Sequence, residues 1–135
     1  MPGKAFFDTS VLVYILDEGD KRSETATALL AAGGVLSVQV LNEFANVARR
    51  KLGFTWQQVD EALASIRDLC GFPAALTVET HAAALQIAKR YGFQIYDSLI
   101  LASALECGCS VLYSEDLQNG QKIDSLTVRN PFLSS

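Results

Sequence analysis

The stretch Lys4-Ala5-Phe6-Phe7-Asp8-Thr9-Ser10 contains the transition that decides the fold. Residues 4–7 predict a short apolar strand that ends at Asp8. From Ser10 onward, apolar residues recur at helical spacing as far as Leu16. A buried strand that leads through an acidic residue into a helix is typical of a βαβ unit, and the remaining chain repeats this alternation.

The same reading of apolar spacing, caps and glycine stops gives the remaining elements. Further strands are predicted at Val35–Val38, Ala74–Leu76, Ser110–Tyr113 and Leu126–Val128. Helices are predicted at Lys21–Ala32, about Gln39–Lys51, after Thr55, at Thr77–Tyr91 and at Asp97–Cys107. This order predicts an α/β fold, with a mostly parallel central sheet flanked by helices in an α/β/α sandwich. With 135 residues and no linker, we expect a single domain over residues 1–135.

Composition excludes several classes of protein. Half of the residues are apolar and 19% are charged, which excludes a disordered chain. With only three cysteines and one histidine, the sequence argues against a zinc site and against a disulfide framework. No stretch resembles a signal peptide or a membrane span, so we expect a cytoplasmic protein with no membrane partner.

Four acidic residues fall where predicted strands end or helices begin: Asp8, Glu43, Asp97 and Asp116. In a parallel sheet these positions share the carboxyl edge, where ligands bind in α/β folds. Apolar sequence flanks each acid, and a lone carboxylate in such surroundings is costly. A bound divalent cation resolves that cost, and Mg²⁺ or Mn²⁺ prefers oxygen ligands of this kind.

Each acid also has a structural interpretation. Asp8 and Asp97 are suitable helix caps, Glu43 a solvated helix residue, and Asp116 a turn residue. The overall charge of −4 argues against a protein that binds nucleic acid through a general basic surface. Without these four, however, the remaining eleven acids equal the eleven Lys and Arg residues, so the acidic excess is compatible with a polyanionic substrate.

The segments that carry these acids resemble the PIN-domain family, especially the VapC-type toxin ribonucleases. The segments are FFDTSVLVY at 6–14, SVQVLNEF at 37–44, YDSLILASA at 96–104 and SED at 114–116. They occur in the family's order, and the resemblance extends over essentially the whole chain.

The resemblance implies a function and a set of roles. It makes Asp8, Glu43, Asp97 and Asp116 the catalytic and metal-binding acids, with Ser10 and Ser114 as supporting polar residues. The implied activity is hydrolysis of RNA phosphodiester bonds by a Mg²⁺- or Mn²⁺-dependent endoribonuclease, which leaves a 5′-phosphate and a 3′-hydroxyl. The implied biological role is the toxin of a type II toxin–antitoxin pair, with an antitoxin protein as partner and a homodimer as the assembly. The residues themselves do not distinguish a toxin from a housekeeping nuclease.

Two other functions remain open at this point. A PIN-like scaffold binds RNA or protein without cleavage. A magnesium-dependent phosphatase also uses a strand-end Asp, but such enzymes need a D-x-D motif where this chain has Asp8-Thr9-Ser10.

Other conspicuous side chains have simpler interpretations. Arg49-Arg50-Lys51 complements a helix dipole at its C-terminus, an interpretation that we favour over RNA contact. Trp56 is interpreted as a core or interface residue, and His81 as a surface or packing residue.

Overall fold

A computed structural model describes residues 4–133. The predicted domain of residues 1–135 therefore has its first three and last two residues outside the described part. The strands are β1 (Lys4–Phe7), β2 (Cys109–Tyr113), β3 (Lys122–Ile123) and β4 (Leu126–Arg129). The helices are α1 (Thr9–Leu12), followed by a 3-10 turn (Val13–Leu16), then α2 (Lys21–Ala31), α3 (Val38–Arg50), α4 (Trp56–Cys70), α5 (Val78–Tyr91) and α6 (Ile95–Glu106).

The sheet has the order β1-β2-β4-β3. The β1–β2 and β2–β4 pairs are parallel, and only the short β3 runs antiparallel to its neighbour. Phe6 and Phe7 are adjacent on β1 and both have 0% exposure. Because consecutive strand residues point to opposite faces, both faces of the sheet are covered. The α/β class and the mostly parallel sheet are therefore confirmed.

Two predicted strands are reduced to single bridges. Val35 pairs with Phe6, and Ser37 pairs with Ala74, but neither segment forms a longer ladder. The Ser37 hydroxyl accepts a hydrogen bond from the backbone N–H of Val40 at 3.3 Å, which caps α3 and starts the helix at Val38. The prediction of a strand at Val35–Val38 was wrong in extent because a helix cap occupies its third residue.

The helix boundaries follow local chemistry. Thr55 caps α4, the helix predicted after it, and forms a reciprocal pair of hydrogen bonds with Gln58. Gly92 ends α5 in the left-handed conformation. Helix α6 begins at Ile95 rather than Asp97, since Gln94 takes the position before its first turn. Most of its central residues are buried, as its apolar sequence predicts.

Trp56 is not a core residue, because 63% of it is exposed. The core centres on the first strand and the helices around it, and its largest fully buried side chains include Phe6, Phe7, Leu12, Phe44, Ile100, Leu101 and Leu112. Within residues 4–133, no helix has the length and apolar character needed to cross a membrane.

The backbone before Val35 passes very close to β1. Val35 donates a hydrogen bond to the carbonyl of Ala5 at 2.9 Å, and a Cβ added at Gly34 would overlap the Phe7 ring and lie 3.1 Å from the same carbonyl. We expect Gly34→Ala to lower the free energy of unfolding by about 1–3 kcal/mol, as overpacking of a core does. Urea denaturation measures this change. Gly19→Ala is the matched control, since its added Cβ would meet only Asp17 Oδ1 at 3.9 Å; equal stabilities for the two variants would contradict the close approach.

Candidate active site

Asp8 is a buried carboxylate, 4% exposed, at the point where β1 ends. Its backbone N–H donates to the carbonyl of Tyr113 on β2 at 2.9 Å. Although Asp8 stands at the N-cap position of α1, its side chain makes no capping hydrogen bond. Instead, Oδ2 accepts hydrogen bonds from Ser10 Oγ at 2.9 Å and from Ser114 Oγ at 2.7 Å. The structure therefore does not use Asp8 as a helix cap.

The two serines also hold the loop that follows β2. Ser114 Oγ accepts hydrogen bonds from the backbone N–H of Asp116 at 3.2 Å and of Leu117 at 3.3 Å. Ser10 Oγ accepts one from the backbone N–H of Glu115 at 3.0 Å. The Asp8 carboxylate and the loop that carries Asp116 thus share the same two hydroxyl groups.

Glu43 lies in the second turn of α3 and is half-buried. Its Oε1 accepts a hydrogen bond from Thr9 Oγ1 at 3.1 Å, and its Oε2 accepts one from Gln39 Nε2 at 2.9 Å. Each carboxylate oxygen therefore has a donor, one from the residue after Asp8 and one from the preceding turn of the same helix. Glu43 is a held side chain rather than a freely solvated one.

Asp97 and Asp116 are less enclosed than Asp8. Asp97, in the first turn of α6, is half-buried and accepts a hydrogen bond from Gln94 Nε2 at 3.2 Å. Asp116 is the most open of the four acids. Partial desolvation is the main cause that raises the pKa of Asp116 above its ordinary value, and the nearby charges of Asp97 and Glu115 raise it further. The positive charge of Lys51 lowers it.

Two of the four acids, Glu43 and Asp116, line a large open cavity. The cavity has a volume of about 760 Å³ and is lined by both polar and apolar side chains. Its polar lining includes Thr9, Ser10, Glu43, Lys51, Glu115 and Asp116, and its apolar lining includes Val13, Leu16, Val47, Leu52 and Phe54. Asp8 does not line the cavity; it is buried and accepts a hydrogen bond from Ser10, which does.

Electrostatic coupling shows which acids lie together. Burial raises the pKa of Asp8 from 3.8 to about 6; the hydrogen bonds from Ser114 and Ser10 lower it, and the charges of Asp116 and Asp97 raise it further. These three aspartates therefore share one neighbourhood, with Glu43 on the wall of the adjoining cavity. Within residues 4–133, no three Asp, Glu, His or Cys side chains are close enough together to hold one metal ion.

A hydrogen-bond network beside the site was not predicted from the sequence. The Tyr14 hydroxyl donates to Glu115 Oε1 at 2.5 Å, and Arg22 donates to the Tyr14 oxygen at 2.9 Å. Arg22 also pairs with Asp20 at 2.7 Å. The network joins the chain on both sides of the cavity, but Tyr14 and Glu115 are 101 positions apart and no local pattern connects them. By contrast, the four-residue spacing of Gln39 and Glu43 on one helix was a readable signal.

A family model described as PIN domain matches residues 5–121. The chain belongs to the PIN-domain family. The match includes all four acids and both serines, so the resemblance drawn from the sequence is confirmed at the level of the family. A search of curated proteins finds no match.

Solved structures support the same PIN fold. The VapC20 toxin of Mycobacterium tuberculosis, described as cleaving the sarcin–ricin loop, is 25% identical, with a TM-score of 0.67 over 84% of this chain and 90% of that chain. A toxin–antitoxin complex from Klebsiella pneumoniae is 18% identical, with a TM-score of 0.72 over 96% and 98% of the two chains. VapBC2 from Rickettsia felis, bound to a promoter DNA fragment, is 16% identical, with a TM-score of 0.67 over 93% and 96%. The last two show the fold alone.

The raised pKa of Asp8 makes the stability of this PIN domain depend on pH. Because folded Asp8 keeps its proton up to about pH 6 and the unfolded side chain only to about pH 3.8, the folded state binds more protons between these values. The free energy of unfolding therefore falls as pH rises through this window. We expect Asp8→Asn to remove this dependence and, in EDTA at neutral pH, to stabilise the protein by on the order of 2 kcal/mol.

Urea denaturation in EDTA at several pH values between 4 and 8 measures this effect. The matched control is Asp60→Asn, which changes an exposed aspartate on α4. The interpretation of Asp8 as a destabilising buried charge fails if Asp8→Asn and Asp60→Asn have the same stability at neutral pH.

Proposed function

We propose that this PIN domain is a Mg²⁺- or Mn²⁺-dependent endoribonuclease, and that it is the toxin of a type II toxin–antitoxin pair. The observation that carries the proposal is the buried Asp8 carboxylate, held by two hydroxyls beside Asp97 and Asp116 at the carboxyl edge of the sheet. A protein keeps an acid in such a costly position where its charge has a use. Membership of the PIN family removes the support for a phosphatase.

The donor chemistry fits a hard divalent cation. The four acids supply carboxylate oxygens only, with no thiol or imidazole among them, and this is the donor set that Mg²⁺ and Mn²⁺ prefer. Asp8 places both hydroxyl contacts on Oδ2, and within residues 4–133 no hydrogen bond reaches its Oδ1. Asp8, Glu43, Asp97 and Asp116 are the residues that would hold the ion.

The ion, when bound, supplies an activated water and stabilises the charge that develops on the phosphate and the departing 3′-oxygen. The chain's own residues prepare the site for this chemistry. Ser10 and Ser114 orient Asp8 and position the loop of Asp116, while Thr9 and Gln39 orient Glu43. Lys51 places a positive charge at the wall of the cavity, where it attracts a phosphate group.

The comparisons support RNA as the substrate and an antitoxin as a partner. The VapC20 structure, at 25% identity, is of a toxin described as cleaving the sarcin–ricin loop. The other two structures contain toxin–antitoxin assemblies. We extend these properties to this chain as part of the proposal, together with a cytoplasmic location and a homodimeric assembly. The exposed Phe72 and Val78, 92% and 80% accessible, are apolar surface that a protein partner would cover.

A non-cleaving PIN scaffold is the second candidate. One observation favours it, because the acids within residues 4–133 form no group of three close enough to hold an ion. All four acids are nevertheless present, and donors hold Asp8 and Glu43 in defined positions. The two candidates differ in whether purified protein cuts RNA.

The decisive test incubates purified protein with total RNA in Mg²⁺ or Mn²⁺, in EDTA, and as the variants Asp8→Asn and Glu43→Gln. We expect cleavage that requires the metal and falls below detection in both variants. Ser114→Ala should retain activity reduced by about 10- to 100-fold, because Ser114 supports a ligand without being one. Asp60→Asn, on the exposed face of α4, should cut like the wild type.

The chemistry of the product ends provides a second criterion. Hydrolysis by an activated water leaves a 5′-phosphate and a 3′-hydroxyl, which end-labelling distinguishes from a 2′,3′-cyclic phosphate. A cyclic phosphate, or cleavage that persists in EDTA, would contradict the proposed mechanism. Folded protein that binds Mn²⁺ but cuts no RNA would favour the scaffold.

A further inference from the structure

An exposed tryptophan lies beside the acidic cavity and is held in a defined position. Trp56 is the first residue of α4, and 63% of it is exposed. The guanidinium carbon of Arg49 lies 4.5 Å from the centroid of its ring, and Arg49 Nη1 donates to the carbonyl of Phe54 at 2.7 Å. Arg49 is thus fixed to the backbone and supports one face of the indole. Most of Trp56 nevertheless stays open to solvent.

This tryptophan closes a second groove that adjoins the first. The groove has a volume of about 410 Å³. It is lined by Trp56 and by residues of α3, all of them polar or basic except Ala45: Asn42, Ala45, Asn46, Arg49 and Arg50. Asn46 lines both this groove and the acidic cavity. From Glu43 to Arg50, the two sites extend over about 10 Å of the helix axis. A short single strand therefore reaches from one to the other.

We propose that this groove, with Lys51 beside it, binds a single-stranded segment of the RNA substrate next to the cut phosphate, with a base stacked on Trp56. The proposal rests on the proposed ribonuclease function and assigns where its substrate lies outside the acids. Aromatic platforms with neighbouring cations are the general means of binding single-stranded RNA. We call the set Asn42, Asn46, Arg49, Arg50, Lys51 and Trp56 the Trp56 surface.

The charges favour RNA as the occupant. Within residues 4–133, none of the consecutive cations Arg49, Arg50 and Lys51 forms an ion pair. Lys51 and Asp116 both line the acidic cavity, so the positive stripe begins at the acidic site. A helix dipole explains cations in the last turn of α3, but it does not explain an aromatic platform supported by one of them.

A second copy of the chain is a less suitable occupant. If two copies met symmetrically through this surface, the same patch would face itself, and three unpaired cations from each copy would come together. Like charges that are brought together and desolvated oppose association. In a single-stranded RNA, by contrast, the phosphates pair with the cations, and the unstacked bases can contact the asparagine amides and the exposed ring.

The sole tryptophan of the sequence makes the test direct, since its fluorescence reports on this site alone. We would titrate wild-type protein in EDTA with a labelled single-stranded RNA of about eight nucleotides. The expected result is saturable quenching of Trp56 that follows the anisotropy of the RNA label. Inorganic polyphosphate, which has charge but no bases, should compete for binding without quenching.

Variants separate stacking from charge. Trp56→Ala should weaken RNA binding by about 5- to 100-fold, and Trp56→Phe should recover part of that loss because it keeps a ring. Lys51→Ala should lower the slope of log Kd against the logarithm of the salt concentration by about 0.7. Phe72→Ala and Lys89→Ala, which remove an exposed aromatic and an exposed helix-end cation elsewhere, should bind like the wild type.

Several results would overturn the proposal. RNA binding without quenching, together with an unchanged Kd for Trp56→Ala, would show that the RNA binds elsewhere. If the protein binds no single-stranded RNA, the proposed ligand of this surface is wrong. Tryptophan emission that shifts to the blue with protein concentration and ignores RNA assigns the surface to a second copy. Quenching that persists in a protein that cuts no RNA would contradict the nuclease function but support the Trp56 surface.

Discussion

The hydrogen bonds from Ser10 and Ser114 to one oxygen of Asp8 join the two parts of the chain on which the site depends. Asp8 ends β1 and Ser114 follows the neighbouring parallel strand β2, so these contacts close the edge of the sheet. They also partly offset the cost of a buried carboxylate, whose pKa nevertheless stays near 6 because burial outweighs them. The unsatisfied part of that cost is what a bound cation would relieve.

Acidic and basic side chains occupy different parts of the surface around α3. The acids lie at the sheet edge, and the cations Arg49, Arg50 and Lys51 lie at the end of α3, which also carries Glu43. One helix thus provides both an acid for the site and a positive stripe leading away from it. This arrangement would allow a chain of net charge −4 to bind the proposed RNA substrate, because attraction depends on the local field and not on the total charge.

The sequence was sufficient for the elements whose signals are local. The strand that ends before Asp8, the helix after Thr55 and the helix that ends at Tyr91 all appear where apolar spacing, caps and glycine stops predicted them. Asp8, Glu43, Asp97 and Asp116 were expected at one edge, and the structure brings the three aspartates close enough to influence one another. Topology follows from the order of strands and helices, so this part of the site was readable.

Features that depend on distant contacts were not readable. The strand predicted at Val35–Val38 ends early because Ser37 is used as a helix cap, and apolar periodicity does not reveal that competition. The contact of Tyr14 with Glu115, and the exposure of Trp56, depend on how separate elements pack. Residue type alone predicted a buried or interface tryptophan, whereas its position at the start of α4 leaves it open to solvent.

The measurement that tests the central claim most directly is thermal unfolding of the wild type and Asp8→Asn with and without MnCl2. A cation that binds only the folded protein raises its Tm as its concentration exceeds Kd. In EDTA, we expect Asp8→Asn to have the higher Tm. With Mn²⁺, we expect the wild type to have the higher Tm, because Mn²⁺ raises the Tm of the wild type and changes that of Asp8→Asn little. An equal response of both proteins, or none, would contradict the claim that the buried Asp8 carboxylate exists to hold a divalent cation.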